Sequence, residues 1–282
     1  MFRRIASYVR ERWHPLWRLR QSAFFRSMQR RFDFTVDVRI AQTGLRVAVK
    51  VLRDASWIAN SGNTEPGVRR AFALVLEHLK PATFWDIGAN IGFYSWFVRL
   101  HPSVREVVMF EPNPTNFKLL SRTISRNAIT NCKAMNVALS DQNGEAAFLV
   151  DRASGAGGSL EAVSCLENTH SLHSAYRMGE TIHCRTVTVD SLIAEGIPSP
   201  DFIKIDVEGA EHLVLGGADS CLSQRHPAMI IETVNADIIR RLKDAGYRVF
   251  RIDETNFLFV HRGCKVDMVP IESAFPAATT GN

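Results

Sequence analysis

Four acidic residues stand at the ends of four short apolar runs. Asp86 lies in Thr83-Phe84-Trp85-Asp86-Ile87, Glu111 follows Val107-Val108-Met109-Phe110, Asp206 follows Phe202-Ile203-Lys204-Ile205, and Glu232 follows Met229-Ile230-Ile231. Runs of this length, rich in aromatic and β-branched residues, predict buried strands. A carboxylate at a strand end accepts hydrogen bonds from sugar hydroxyls, holds a cation or takes a proton. After the first acid, Gly88-Ala89-Asn90-Ile91-Gly92 turns the chain, and helical spacing resumes from Phe93 through Trp96, Phe97 and Leu100. Strand, glycine turn and helix form the front half of a βαβ unit, on whose turn a nucleotide-like ligand sits.

The turn discriminates between ligands. A dinucleotide fingerprint, G-x-G-x-x-G, brings backbone against a pyrophosphate. Here the spacing is D-x-G-x-N-x-G, formed by Asp86, Gly88, Asn90 and Gly92. A carboxylate at that strand end repels a pyrophosphate and suits a cofactor with a sulfonium and an ammonium, S-adenosylmethionine. Glu111 is placed to accept both ribose hydroxyls. That acid is also compatible with NAD, so the turn decides for the methyl donor. The plainer alternative is a helix-capping Asp86 with two structural glycines.

The elements that must position these acids follow in order. Phe32, Phe34, Val36, Val38 and Ile40 alternate with polar residues, and after Thr43-Gly44 the pattern repeats at Leu45, Val47, Val49 and Val51. This predicts a β-hairpin over 32–60, buried on one face and added to the main sheet. Pro66 opens a helix, preceded by Thr64 or Glu65. Strand 84–87, helix 91–100, strand 107–111, helix 114–127 and strand 133–139 come next, then a turn at 141–144 and strand 146–150. Residues 151–182, with Gly155, Gly157, Gly158, His170, His173 and nearby His183, read as a long variable loop. Asp190 looks like a helix N-cap. Strands 202–206, 229–232, 247–252 and 256–260 surround a helix near 236–244, and the tail 267–282 reads as frayed. Strands alternating with helices predict one α/β domain over 32–266, a doubly wound, mostly parallel sheet with its ligand crevice at the carboxyl ends of the strands.

The 282 residues are 46% hydrophobic and 22% charged, an ordinary globular composition. Five scattered cysteines form no C-x-x-C pair, which fits a reducing compartment. No run reaches the roughly 20 residues needed to span a bilayer, and no signal-peptide core is visible. The expected location is the cytoplasm. The charge is uneven. Residues 1–31 hold nine Arg against one Glu, a charge of +8, while the rest holds 25 Lys and Arg against 28 Asp and Glu, a charge of −3. The basic arm also carries Trp13, Trp17, Phe24 and Phe25. Two readings stand: peripheral contact with the inner face of a membrane, or packing on the domain or on a second copy in a homodimer. The acidic body and the lack of an N-P-P-Y-like element argue against a nucleic-acid partner.

The blocks FWDIGANIGFYS, FEPNP (110–114), NVALSD (136–141) and FIKIDVEGAE (202–211) resemble the FkbM-type methyltransferases in order and spacing, from about Asn60 to Glu232. The resemblance implies a class I, Rossmann-like methyltransferase fold and methyl transfer from S-adenosylmethionine, usually to a hydroxyl of a sugar, glycan or secondary metabolite. It implies that Asp86, Gly88 and Asn90 hold the amino-acid end of the cofactor and that Glu111 holds the ribose. Ser140 and Asp141 would lie near the adenine, with Ala89, Gly92, Asn113 and Glu65 completing the cofactor set. Asp206 and Glu208 would face the reacting centre.

An alcohol acceptor must lose a proton, which asks for a general base. Asp206, Glu208, His212 and Glu232 are the candidates, with Asp206 first because its strand adjoins the cofactor strand. Glu208 has a plainer role as a helix cap, and His212 as a residue pointing away from the site. Lys204, inside an apolar strand, needs an acidic partner. Asp206, Glu208 and Glu232 are alternatively an oxygen-ligand set for Mg²⁺. The three loop histidines lack a zinc pattern and read as substrate contacts or surface residues. Two other function classes remain: an NAD-dependent sugar-modifying enzyme, and a cofactor-binding protein without catalysis.

Overall fold

The structure is a computed structural model, and it describes residues 28, 31–40, 43–55, 58, 65–150, 158–160, 180–264 and 266–278. The arm 1–27, His170, His173 and most of the 151–182 loop lie outside the described residues.

Seven strands form the central sheet: β3 (Thr83–Ile87), β4 (Glu106–Phe110), β5 (Cys132–Met135), β10 (Phe202–Ile205), β11 (Ala228–Glu232), β12 (Tyr247–Arg251) and β13 (Asn256–His261). The spatial order is β12-β13-β11-β10-β3-β4-β5. The run from β11 to β5 is parallel, and β13 is antiparallel to both its neighbours. Four of the predicted strands sit centrally, so both faces are covered and their apolar runs are continuous rather than alternating.

Phe84, Met109, Phe202 and Ile230 face one layer, built from α1 (Pro66–Leu74), α2 (Phe93–Val98) and α3 (Pro114–Arg126). A π-helical turn, Val75–Leu79, continues α1. Trp85, Val108, Ile203 and Met229 face the opposite layer. That layer holds α4 (Val189–Ala194), α5 (Glu211–Gly216), α6 (Asp219–Gln224) and α7 (Ala236–Asp244).

The hairpin, β1 (Thr35–Arg39) and β2 (Arg46–Lys50), forms a separate two-stranded sheet rather than extending the main one. β2 is the inner strand: its Ala48 N–H bonds Thr123 Oγ1 on α3 at 2.9 Å, and Val47, Ala48 and Val49 are all buried. β1 is outer. Of its predicted buried face only Ile40 is buried, while Phe32 and Phe34 are 55% and 61% exposed.

The expected strand 133–139 divides. β5 stays in the main sheet, while β6 (Ala138–Leu139) joins β7 (Gly144–Val150), β8 (Gly158–Leu160) and β9 (Glu180–Val187) in a second sheet. Part of the expected loop is therefore strand. Thr188, not Asp190, caps α4, by accepting from Ser191 N. Asp190 instead accepts from the Ser220 and Cys221 amides and fixes α6.

Residues 267–278 of the tail do not fray as expected. α8 (Val269–Ala274) buries Ile271, and Ala277 bridges Phe250 on the outer edge of β12. The Arg251 amide donates to Pro276 O, the Ala278 amide to Val249 O, and Lys243 Nζ to Ala278 O. No described helix is long and apolar enough to cross a membrane.

Candidate active site

Strand register brings the acids together. Ile87 pairs with Phe110 and Ile205 with Ile231, so Gly88 and Glu111 leave adjacent strands, as do Asp206 and Glu232. A cleft at these carboxyl ends is lined by Gly88, Asn90, Glu111, Asn113, Asp206 and Glu208, and further by Asn116, Val137, Leu139 and Phe148.

The turn after β3 is folded against Glu111. Gly88, Asn90 and Gly92 all take positive φ, at 81°, 53° and 83°. A Cβ on Gly88 would fall 1.9 Å from the Asp206 carbonyl oxygen, so only glycine lets the two strand ends approach. The Gly88 and Ala89 amides donate to Phe110 O, and the Gly92 amide to Ala89 O. The Asn90 amide donates to Glu111 Oε2 at 2.7 Å, and the Asn113 amide to Glu111 Oε1 at 2.9 Å. The Asn116 side chain adds a hydrogen bond to the same carboxylate. Burial nevertheless pushes the Glu111 carboxyl up to about 7. Asn113 also caps α3, accepting from Thr115 N.

A second cluster lies beside this cleft. Lys204 is buried, and its Nζ meets Asp206 Oδ2 at 2.6 Å. Lys204 pairs in register with Asp86, whose buried carboxylate accepts from Ser95 Oγ at 2.6 Å. Burial pulls the Lys204 pKa down, but Asp206 and Asp86 outweigh it and hold the ammonium above its ordinary value. Burial raises the Asp86 pKa, with Lys204 opposing. The Lys204 ammonium sits 4.9 Å from the Tyr94 ring centroid, and the Tyr94 hydroxyl bonds Glu65. Glu232 accepts from Thr255 Oγ1 at 3.3 Å. Burial, reinforced by the charge of Asp206, pushes Glu232 up to about 7 and Glu208 up to about 8.

The expected site residues thus separate into groups. Gly88, Asn90, Glu111, Asn113, Asp206 and Glu208 meet at the cleft. Asp86 does not line it; alternation in β3 turns its side chain under α2, into the Lys204 cluster. Ala89 and Gly92 shape the turn without lining the cleft. Glu65 belongs with Tyr94 rather than with the Glu111 end. Ser140 and Asp141 pack against Gly216 and Gly217, where added Cβ atoms would clash with them, so Val137, Ala138 and Leu139 form that wall. His212 Nδ1 lies 3.2 Å from Gly209 O on α5, outside the cleft lining. Glu208 does not cap α5; Glu211 Oε1 accepts from the Gly209 amide. Asp206, Glu208 and Glu232 do not converge as a metal-holding group, and none of three or more His, Cys, Asp or Glu occurs among the described residues.

Sequence reasoning missed Asn116, Tyr94 and Thr255. Asn116 was legible in part, since it stands three residues after the Asn113 cap and so faces back toward Glu111. Tyr94 and Thr255 reach the cluster only through tertiary packing.

A parallel sheet with one reversed strand near its edge, a glycine turn after the central strand and an acid ending the next strand is the layout of class I methyltransferases. A family profile described as the methyltransferase FkbM domain matches residues 86–249, and the chain belongs to that family.

Hexuronic acid methyltransferase AglP of Haloferax volcanii is 29% identical over 158 residues, 55% of this chain and 58% of that protein. The chain thus spans less than two thirds of that relative's length. 31-O-demethyl-FK506 methyltransferase FkbM of Streptomyces tacrolimicus is 29% identical over 189 residues, 58% of this chain and 72% of that protein. A solved FkbM methyltransferase from Methylobacillus flagellatus KT is 18% identical with a TM-score of 0.44, covering 64% of this chain and 44% of that one.

Proposed function

We propose that the chain transfers a methyl group from S-adenosylmethionine to a hydroxyl of a sugar, glycan or secondary metabolite. The observation that carries the cofactor reading is Glu111. The Asn90 and Asn113 amides and the Asn116 side chain take three of its four lone-pair sites, which leaves one open, and the residue lines the cleft. A ribose hydroxyl is the matching ligand. The turn supports the same choice over NAD. The amides of Gly88, Ala89, Asn90 and Gly92 are committed to protein acceptors, so they offer a pyrophosphate nothing. The acceptor class follows the relatives' names, one a hexuronic acid and the other a 31-O-demethyl compound.

S-adenosylmethionine supplies a methyl carbon activated by a sulfonium. The chain's residues must bring the acceptor oxygen into line and take its proton. Asp206 ends β10 at the cleft, with Lys204 fixing one carboxylate oxygen and so its orientation. Glu232 ends the neighbouring strand, and its pKa responds to Asp206. The pair Asp206 and Glu232 receives the hydroxyl proton, Asp206 contacting the acceptor and Glu232 sharing the charge.

Asp206→Asn keeps shape and removes basicity. Turnover should fall by about 10²- to 10⁴-fold while cofactor affinity, measured calorimetrically, stays near wild type. The wild-type rate should rise with pH through about 7 as Glu232 ionises, and Glu232→Gln should remove that limb. Unchanged turnover in Asp206→Asn rejects the base assignment. Binding of NAD in place of the methyl donor rejects the cofactor.

A further inference from the structure

We infer that the face around Phe32 and Phe34 docks on an anionic lipid surface on the same side of the molecule as the cleft. The direction of the hairpin carries this. β2 begins at the far end of α3, where the Arg46 amide bonds Asn127 Oδ1 at 3.0 Å. It climbs past Thr123 toward the start of α3, and that start is Asn113, beside Glu111 in the cleft.

β1 pairs antiparallel, Thr35 opposite Lys50 and Arg39 opposite Arg46, so the chain enters β1 at the cleft end. Asp33 is pinned there. Its Oδ1 accepts from the Leu52 amide at 2.8 Å, and its carbonyl accepts from Lys50 Nζ at 2.9 Å. Arg53, which follows Leu52, is close enough to Glu111 to oppose the rise in its pKa electrostatically.

At this entry two phenylalanines stand in solvent, 55% and 61% exposed, and the Arg31 guanidinium lies 5.9 Å from the Phe32 ring centroid. Just before them run nine arginines with one glutamate, and Trp13, Trp17, Phe24 and Phe25. Exposed aromatic rings continuous with a cationic, tryptophan-bearing segment match the chemistry of an anionic bilayer interface, where rings sink to headgroup depth and arginines meet lipid phosphates. Among the described residues no Lys or Arg lines the cleft, so it offers the phosphates of a nucleic-acid partner no cationic group. A bilayer meets the hairpin entry and leaves the recessed carboxylates alone.

The docking is independent of the reaction proposed above and is tested without cofactor. The full chain is sedimented with phosphatidylcholine vesicles, with and without phosphatidylglycerol. It should sediment with the anionic vesicles at low salt and release as salt shortens the Debye length below about 10 Å. The double variant Phe32→Ser/Phe34→Ser should bind at least about tenfold more weakly with an unchanged melting temperature, because both rings are exposed. Deletion of 1–31 should abolish binding while calorimetric binding of S-adenosylhomocysteine is retained. Three results overturn the inference: no sedimentation at low salt, equal binding by the double phenylalanine variant, or single-stranded RNA displacing the protein from the vesicles.

Discussion

Glu111 is a charged group placed where charge is costly, and two peptide donors and Asn116 hold it there. A purely structural carboxylate with those partners would tie the β3 turn to α3 and nothing more. If it also receives a ribose hydroxyl, Glu111→Ala should weaken S-adenosylhomocysteine binding by about 10- to 100-fold, the worth of a charge-assisted hydrogen bond of about 1.5–3 kcal/mol. Calorimetry reads this directly, and equal affinity in the variant removes Glu111 from the cofactor site. The acid was legible in the sequence because it ends an apolar run. The destination of Asp86 was not. Being one residue short of its strand's end, its side chain follows strand alternation into the layer beneath α2, where Ser95 and Lys204 receive it. Lys204 was expected to need an acidic partner, and Asp206 is that partner.

The β3 turn shows why spacing at the level of elements was readable. The left-handed glycines and the strand–helix junction are local demands, and they fall where D-x-G-x-N-x-G placed them. Gly88→Ala tests the demand. A side chain at φ 81° costs about 1–2 kcal/mol, and the added carbon overlaps the Asp206 carbonyl. The variant should melt several degrees lower and bind cofactor poorly, since its relief moves Asp206 away from Glu111. Thermal melting with and without S-adenosylhomocysteine checks both. The hairpin was readable as a hairpin and misread in its placement. Alternation says that a strand has two faces. It does not say that α3 takes the inner strand and leaves Phe32 and Phe34 at the outer one. The divided strand at 132–139 has a similar cause, because β6 is claimed by a long-range pairing with β9 that no local pattern encodes.

Across the whole molecule, raised carboxyl groups gather at one rim. Burial pushes Glu111, Glu211 and Glu232 up to about 7 and Glu208 to about 8, from an ordinary 4.5. Each binds its proton more tightly folded than unfolded. The stability each contributes is fully present below about 4.5 and is lost as pH rises through 7 to 8. The protein without ligand should therefore melt lower at pH 9 than at pH 6, by about 2–4 °C for each kcal/mol lost. Glu208→Gln should flatten that slope, and scanning calorimetry across pH measures it. His261 acts in the opposite sense. Burial and then its stacked neighbour His226 depress its pKa, so its contribution holds above 6.5 and fades on acidification. The sheet itself was legible as mostly parallel, since four continuous apolar runs ended in acids. The ordered tail was not, because Ile271 and Phe275 are isolated apolar residues in an otherwise loose composition.

That tail has a consequence for how the molecule keeps to itself. β12 closes the main sheet, and its outer row of peptide groups is the kind of template on which another chain can grow. Residues 276–278 lie along it and consume the Val249 carbonyl and the Arg251 amide, while Lys243 clamps the last of them. The polypeptide thus acts as its own terminator of strand polymerisation. A protease or truncation that trims these few residues would unmask a sticky border far from the cleft, and would turn a loss of chain length into a gain of aggregation.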